Sequence, residues 1–505
     1  MTALRVLVAA VIAFAAVESA PGARAAGRLV VGSKAFPESW VLGEALASLA
    51  RREGVVVEHR SNLGGTEIVF QALRSGAIDA YPEYTGTISE VILKNQSTAS
   101  LASMRAELAR EGIGISDPMG FNDGYALAVT RAVQERTGVK RLSDLTSHPE
   151  LRLGLTHEFM GREDGYPGLA RHYGLRMRDV RGIQHELAYG AIASGKVDAI
   201  DIYTTDAQIA QLDLRILEDD RGFFPRYDAV WLYRLDLERR TPPALTAIAR
   251  IAGRIDEARM IRANAAVVLE KRTPAEAAER LLGEALGATG AAPATTANAW
   301  DAILRNTLQH LKLVGLSLAA AILVGVPLGV LATHSRWLAG ATLTGAGLLQ
   351  TIPSLALLAF LIPLFGIGVV PALVALFLYS LLPIVRNTFV GVTTIPGSLA
   401  EAAAALGLSP AARLLRVQLP MASPAIMAGI KTSAVINVGT ATLAALIGAG
   451  GLGEPILSGI QLRRTELILQ GAVPAAVLAL LVQWGFDLID RAAIPRGLRL
   501  PAEPR

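Results

Sequence analysis

The uneven distribution of charge along the chain limits its possible folds more than any other feature. Beyond residue 310, five segments are almost free of ionisable side chains: roughly 311–332, 338–365, 369–392, 425–447 and 467–488. Before about residue 300, charges recur every few positions. Each apolar segment is long enough to cross a hydrocarbon core of about 30 Å as a helix. A mean hydropathy of +0.40 with only 18% charged residues over 505 positions is too apolar for a wholly water-soluble protein. The chain therefore divides into two bodies built for different solvents.

The sign of the charge divides in the same way. Residues 301–505 carry a net +6 and residues 1–300 a net −2. Arginines beside apolar spans follow from membrane topology, so the basic balance leaves no footprint for nucleic acid. The chain has no cysteine, which excludes disulfides, thiolate metal sites and cysteine nucleophiles. The opening stretch MTALRVLVAAVIAFAAVESAPGARAAG has Arg5, an apolar run, a Pro21-Gly22 break and a small-x-small site ending at Ala25. It reads as a signal peptide over residues 1–26, with an uncleaved anchor as the alternative, and either form exports the body that begins at residue 27.

From residue 27 to about 283, short β-branched stretches (RLVVGS, VVVEHRS, AIDAYPEY, RLGLTHEF) alternate with amphipathic ones (PESWVLGEALASLARREG, TEIVFQALRSG). This βαβα order predicts parallel sheets with helices on their faces, arranged as two α/β lobes with a cleft between them. YDAVWLYR reads as a strand returning to the first lobe. Residues 284–300 lose apolar periodicity and read as a linker. If the first body is exported, five spans place 334–337, 386–424 and the C-terminal tail in the cytoplasm. Arg336, Arg386, Arg413, Arg416, Arg491, Arg496, Arg499 and Arg505 then lie inside, as the positive-inside rule requires, and Arg463 and Arg464 are the exceptions.

The longest cytoplasmic loop, about 393–424, contains EAAAALGLSPAARLLRVQLPMA, two helical pieces joined by a turn at Ser409-Pro410. Glu401, Ala402, Ala403, Gly407, Leu419 and Pro420, with Val417 where Ile is usual, resemble the coupling loop of ABC importer permeases. The resemblance implies a separate ABC ATPase subunit that receives this loop, hydrolyses ATP with Mg outside the chain, and leaves the chain itself without a cofactor or catalytic role. It also implies a permease homodimer, because five spans make half a permease of this kind. GAIASGKV (190–197) falls one residue short of a phosphate-binding loop, since Val197 stands where Ser or Thr must hold magnesium, and it reads as a helix C-cap and turn.

VGSKAFPESWVLGE, NLGGTEI, DAYPEYTGT, FNDGYALAV, THEFMGREDGYPGLARHYGL, DAIDIYTTDAQI and LEDDRGFFPRYDAV together resemble the substrate-binding proteins of osmoprotectant importers, over about 29–282. This implies a type II-like periplasmic-binding-protein fold followed by an all-α polytopic permease domain at 301–505. The whole would be a multi-pass protein of the bacterial inner membrane with its binding domain on the periplasmic side. The implied ligand is a quaternary amine such as glycine betaine, choline, carnitine or ergothioneine.

A trimethylammonium group donates no hydrogen bonds, so ring faces must hold it. The candidates are Tyr84, Tyr125, Tyr166, Tyr189 and Tyr203, with Thr85, Asp123 and Thr205 in the same motifs. Ser33, Lys34 and Thr66 sit at helix starts and could offer free backbone N–H groups to a ligand carboxylate, although Lys34 reads equally well as a solvated charge. His157, Glu158, Arg162 and Asp164 lack the second histidine of a metal site and read as an ion-pair network bridging the lobes, with Arg162 a candidate ligand contact. Asn437 and Thr440 are candidates for a polar path through the spans, or for packing. A membrane sensor for the same ligand and a membrane-anchored enzyme are the alternatives. The first lacks room for a signalling domain after the last span and the second lacks a catalytic constellation.

Overall fold

The computed structural model describes residues 27–94, 100–287, 299–462 and 464–493. The expected signal peptide, the centre of the expected linker, Arg463 and the arginines of the tail beyond residue 493 lie outside the described residues. The chain forms two compact units, one built mainly from the first 296 residues and one from the helices beyond them.

The first unit contains two five-stranded sheets. Strands β1 (Arg28–Gly32), β2 (Val56–Arg60), β3 (Ala80–Tyr84), β4 (Ile113–Ile115) and β10 (Ala229–Arg234) form one sheet in the order β2-β1-β3-β10-β4. Strands β5 (Tyr125–Thr130), β6 (Arg152–Thr156), β7 (Asp179–Ile183), β8 (Ala199–Tyr203) and β9 (Leu214–Ile216) form the other in the order β7-β6-β8-β5-β9. The expected two lobes are present, and YDAVWLYR is the strand β10 that returns to the first sheet. The sheets are mixed, however, where parallel ones were expected. β10 runs antiparallel to β3 and β4, and β5 runs antiparallel to β8 and β9. The reason is topological: each of these strands enters its sheet directly from a crossover between lobes, with no helix to bring it round to the parallel direction.

The two crossovers, between β4 and β5 and between β9 and β10, touch through an antiparallel bridge of Asn122 and Asp228. Asn122 Oδ1 accepts from the Tyr227 N–H at 2.7 Å. A helix at Pro37–Arg52 covers the first sheet, helped by Trp40, Leu42, Leu46 and Leu49, all buried. The helices Glu257–Val268 and Pro274–Leu286 pack on it, and Glu279 accepts from Arg52 at 2.5 Å. The last of these runs to Leu286, so it takes in the start of the expected linker, as the helix Ala299–Ala332 takes in its end.

Among the described residues of the second unit, four helical segments are long and apolar enough to cross a membrane: Trp300–Ala332, Val369–Thr393, Pro410–Ile447 and Thr465–Asp490. The segment expected as the second span is two helices, Arg336–Thr351 and Ser354–Phe365, bent by 98°. Pro353 causes the break, because its ring cannot continue the preceding helix and its fixed φ starts the next one. The number of spans is five if this bent pair crosses, and the predicted topology depends on that crossing. Helix approach depends on glycine. A Cβ on Gly329 would stand 2.5 Å from Thr388 Cβ, and one on Gly429 would stand 2.7 Å from the Pro383 carbonyl oxygen. Only hydrogen fits at either contact.

The loop 393–424 holds two helical pieces joined by a turn. A helix at Gly397–Ala405 ends in Gly407 at φ +76°, and a second begins at Pro410, capped by Ser409 Oγ accepting from the Ala412 N–H. Leu419 and Pro420 stand at the start of the helix Leu419–Thr440, within the continuous helical segment Pro410–Ile447. Glu401 and Ala402 are exposed, whereas Ala403 is buried. Asn437 is buried and donates to Ser317 Oγ at 3.1 Å, as packing requires, and Thr440 bonds its own helix at the Ile436 carbonyl.

Candidate ligand-binding site

Between the two lobes lies a cavity of about 260 Å³, lined by the ends of several strands and the loops beyond them. β3 ends at Tyr84, β8 at Tyr203, and β5 begins at Tyr125, so pairing of Tyr125 with Tyr203 across the second sheet sets two rings side by side. Their centroids are 5.1 Å apart. Phe36, at the start of the helix Pro37–Arg52, closes the group from the first lobe. Its ring lies 5.9 Å from Tyr203 and 6.4 Å from Tyr84. Tyr227, on the second crossover, meets Tyr125 edge-on at 5.6 Å.

The expected tyrosines thus separate. Tyr84, Tyr125 and Tyr203 line the cavity, and Tyr166 and Tyr189 do not. Tyr189 is fully buried in the core of the second lobe with Ile192, Ile200 and Ile202, and its hydroxyl donates to Asp206. Tyr166 is half-buried at the start of the helix Tyr166–Tyr173, away from the cavity.

The expected anion donors are also rearranged. The N–H groups of Ser33 and Lys34 are taken by the Arg60 carbonyl and by Ser39 Oγ, and the Ser33 hydroxyl is shared with Ser39 and His59. Ser33 therefore does not line the cavity. Lys34 does, but as a buried cation paired with Glu83 and 5.4 Å from the Tyr84 ring centroid, not as a solvated charge. Gly64 and Gly65 line the cavity just ahead of the helix Thr66–Arg74, while the Thr66 hydroxyl is buried without a partner. Thr85 ties β3 to the second crossover, donating to the Arg226 carbonyl and accepting from the Asp228 N–H at 3.0 Å each.

Arg162 lines the cavity 5.3 Å from the Tyr125 ring centroid, held by both oxygens of Asp164 and by Glu158 at 3.2 Å. Asp164 also accepts from the Tyr227 hydroxyl at 2.7 Å. This network stays in the second lobe and reaches the crossover, so it does not bridge the lobes as expected. The polar lining further includes Asp123, Glu158, His185 and Glu186. Each cation in the wall already has a carboxylate partner: Lys34 has Glu83, Arg162 has Asp164, and His185 has Asp206 at 3.0 Å. Burial opposes the charged form of His185, but Asp206 outweighs it and the imidazole is raised to about 9. Burial holds Glu186 above the ordinary carboxylate range. It also pushes up the hydroxyls of Tyr84 and Tyr125, with Glu38 and Glu158 adding to it in turn, so both remain neutral phenols. Phe36, His185 and Glu186 are not legible as site residues in the sequence, although Phe36 lies inside the motif VGSKAFPESWVLGE.

Residues 27–284 match the family described as the substrate binding domain of ABC-type glycine betaine transport system. The chain belongs to this family. Residues 325–495 match the binding-protein-dependent transport system inner membrane component. This ABC importer chain is therefore a substrate-binding domain and a permease domain in one polypeptide. Its permease part is 43% identical over 197 residues to the choline transport system permease protein OpuBB of Bacillus subtilis, covering 39% of this chain and 91% of that protein. The chain is also 33% identical over 267 residues to EgtU of Helicobacter pylori, an ergothioneine transport permease and ergothioneine binding protein. That match covers 51% of this chain and about half, 48%, of the relative. A solved glycine betaine/carnitine/choline ABC transporter structure aligns with 51% of the importer chain and 98% of its own length, at 29% identity and a TM-score of 0.45.

Proposed function

We propose that this chain imports a quaternary ammonium compound of the glycine betaine, choline and carnitine type, with ergothioneine within the same class. The observation that carries the proposal is the group of four rings, Phe36, Tyr84, Tyr125 and Tyr203, around one cavity whose cations are all neutralised by carboxylates. A methylated ammonium gives up its hydration on entering such a site and cannot recover it through hydrogen bonds. Ring faces compensate by about 0.5–2 kcal/mol each when desolvated. Glu158 and, when ionised, Asp123 add negative potential that favours a cation further. Names of relatives point the same way, one to choline and one to ergothioneine.

In this reading the binding domain lies outside the cytoplasmic membrane, the two lobes close on the cation, and the domain delivers it to the permease. A separate ATPase subunit seats the helices Gly397–Ala405 and Pro410–Arg413 and supplies the energy, and two copies of the chain form one pore. Exposed Leu406 and Leu415 support a docked partner there, because large apolar side chains 82% and 64% exposed on a short helical hairpin leave much to be covered. The test is calorimetric titration of the full-length chain in nanodiscs with choline, glycine betaine, carnitine and ergothioneine. Binding of at least one at micromolar concentration, weakened about tenfold in Tyr125→Ala and in Tyr203→Ala, is expected. No heat from any of the four would refute the ligand class while leaving the importer assignment in place.

A further inference from the structure

Glu38 belongs to the first turn of the helix Pro37–Arg52 and is 4% exposed. Its two oxygens reach three other parts of the domain. Oε1 accepts from the Tyr84 hydroxyl at 2.6 Å. Oε2 accepts from Asn264 Nδ2 at 2.8 Å, on the helix Glu257–Val268, and lies 2.5 Å from Thr205 Oγ1 in the second lobe. Thr205 Oγ1 in turn lies 2.8 Å from Asp123 Oδ1, on the first crossover.

The hydrogens in this chain of contacts can be counted. One hydroxyl, with one hydrogen, stands between two carboxyl groups. If both carboxyls were ionised, one of the two contacts would set lone pair against lone pair at hydrogen-bond distance in a buried site. Asn264 does not relieve it, because its Nδ2 donates to Glu38, to the Thr205 carbonyl at 3.1 Å and at 3.4 Å to Thr205 Oγ1, and none of these places a hydrogen between the hydroxyl and a carboxyl oxygen. A proton on one carboxyl does relieve it: that acid donates to Thr205 Oγ1, and Thr205 donates to the other carboxylate.

We infer that Glu38 is the positioning residue of the ligand site, fastening the cage ring Tyr84 to the second lobe through one proton shared with Asp123 across Thr205. Forming this closed arrangement therefore takes up a proton.

The surroundings favour it. Tyr84 faces the pair from β3, with the Lys34–Glu83 ion pair beside its ring. Asp206, paired with His185, faces it from the second lobe, and neutral Asn264 faces it from the helix Glu257–Val268. Burial, then the other carboxylates, holds Asp123 well above the ordinary range, and burial outweighs three donated hydrogen bonds in raising Glu38. Asp123 lines the ligand cavity and Glu38 does not, so an arriving cation favours charge on Asp123 and leaves the proton on Glu38. A group whose closed-form value is raised loses its contribution as pH rises. Affinity should fall by up to about tenfold per pH unit between the open-form and closed-form values.

The inference rests on the quaternary-ammonium reading only for its probe. The full-length chain in nanodiscs is titrated with choline and with glycine betaine at one pH, in buffers of different ionisation enthalpy, which yields the protons taken up per ligand. Infrared spectra near neutral pH, without and with ligand, report a protonated carboxyl C=O stretch. Wild type should show that band and take up about one proton. Glu38→Gln, whose amide can donate to Thr205, should lose both signals and flatten the pH profile. Glu38→Ala should weaken binding about tenfold or more, and Glu38→Gln should recover most of that loss. Absence of the band in wild type, or equal affinity and equal pH profiles in the Ala and Gln variants, would overturn the inference. If neither ligand binds, the ligand class falls, and the band with its response to Glu38→Gln still decides the proton.

Discussion

At the scale of single residues, the cavity selects through what its rings exclude. Phe36, Tyr84, Tyr125 and Tyr203 line it, and the hydroxyl of Tyr84 is spent on Glu38. Replacing Tyr125 by Ala should weaken binding of a quaternary amine about tenfold, since a desolvated ring face is worth about 0.5–2 kcal/mol and its loss also admits water. Tyr189→Phe should leave affinity unchanged and cost only about 1 kcal/mol of stability, because that ring packs in the core and loses just its bond to Asp206. Paired titration and melting of the two variants checks both. His185 provides a pH test. Its value is raised above an ordinary 6.5 to about 9, so its stabilising pair with Asp206 is fully present below about pH 6.5 and is lost as pH rises through 9. Amide exchange at Tyr203, whose N–H donates to Asp206 at 2.8 Å, should lose protection from pH 7 to 10 after correction for the intrinsic rate. In His185→Gln that pH dependence should vanish.

At the scale of elements, the permease helices approach through glycine and the hairpin of Gly397–Ala405 and Pro410–Arg413 turns through it. Gly329→Val would place a Cβ 2.5 Å from Thr388 Cβ and 2.8 Å from the Val385 carbonyl oxygen, in a contact where the backbone cannot yield cheaply. Overpacking of this kind costs typically about 1–3 kcal/mol, so the variant should melt at a lower temperature in detergent than Gly347→Val, where nothing stands within 4 Å. The hairpin of Gly397–Ala405 and Pro410–Arg413 makes a separate prediction. Leu406→Asp should abolish co-purification of the ATPase subunit without altering ligand affinity, because the side chain is 82% exposed and contributes to no core. Retention of the ATPase by that variant would remove the hairpin from the docking surface.

At the scale of the whole molecule, joining a binding domain to a permease changes the kinetics of delivery. A short tether sets an effective concentration that can reach the mM range, so docking need not await a free binding protein. Expressing residues 27–287 and 299–505 as separate chains should make uptake depend on the amount of binding domain supplied, whereas the fused chain should show no such dependence. Uptake in cells expressing both halves at varied ratio measures this directly. The bent pair at Pro353 governs the orientation of the permease. Cysteine labelling from each side of the membrane at Ser335 and at Ser409 should place both in the cytoplasm if the bent pair crosses, and on opposite sides if it does not.

The sequence by itself determined the partition into two bodies, the two α/β lobes, the helical hairpin between spans and the family. Each rests on local pattern: runs of apolar residues, alternation of strand and helix periods, and motifs whose spacing survives in one dimension. It found Tyr84, Tyr125 and Tyr203 because those motifs lie at strand ends. It could not separate them from Tyr166 and Tyr189, which stand in equally good motifs. Nor could it show that the N–H groups of Ser33 and Lys34 are spent on Arg60 and Ser39, or that Lys34 is buried against Glu83. The tertiary structure alone decided that Glu38, Asp123, Thr205 and Asn264, as much as 226 positions apart, share one hydrogen-bonded cluster. Strand direction explains why. β5 and β10 enter their sheets from the crossovers and run against their neighbours, and that pairing, which no local period encodes, sets which residues meet across the cleft.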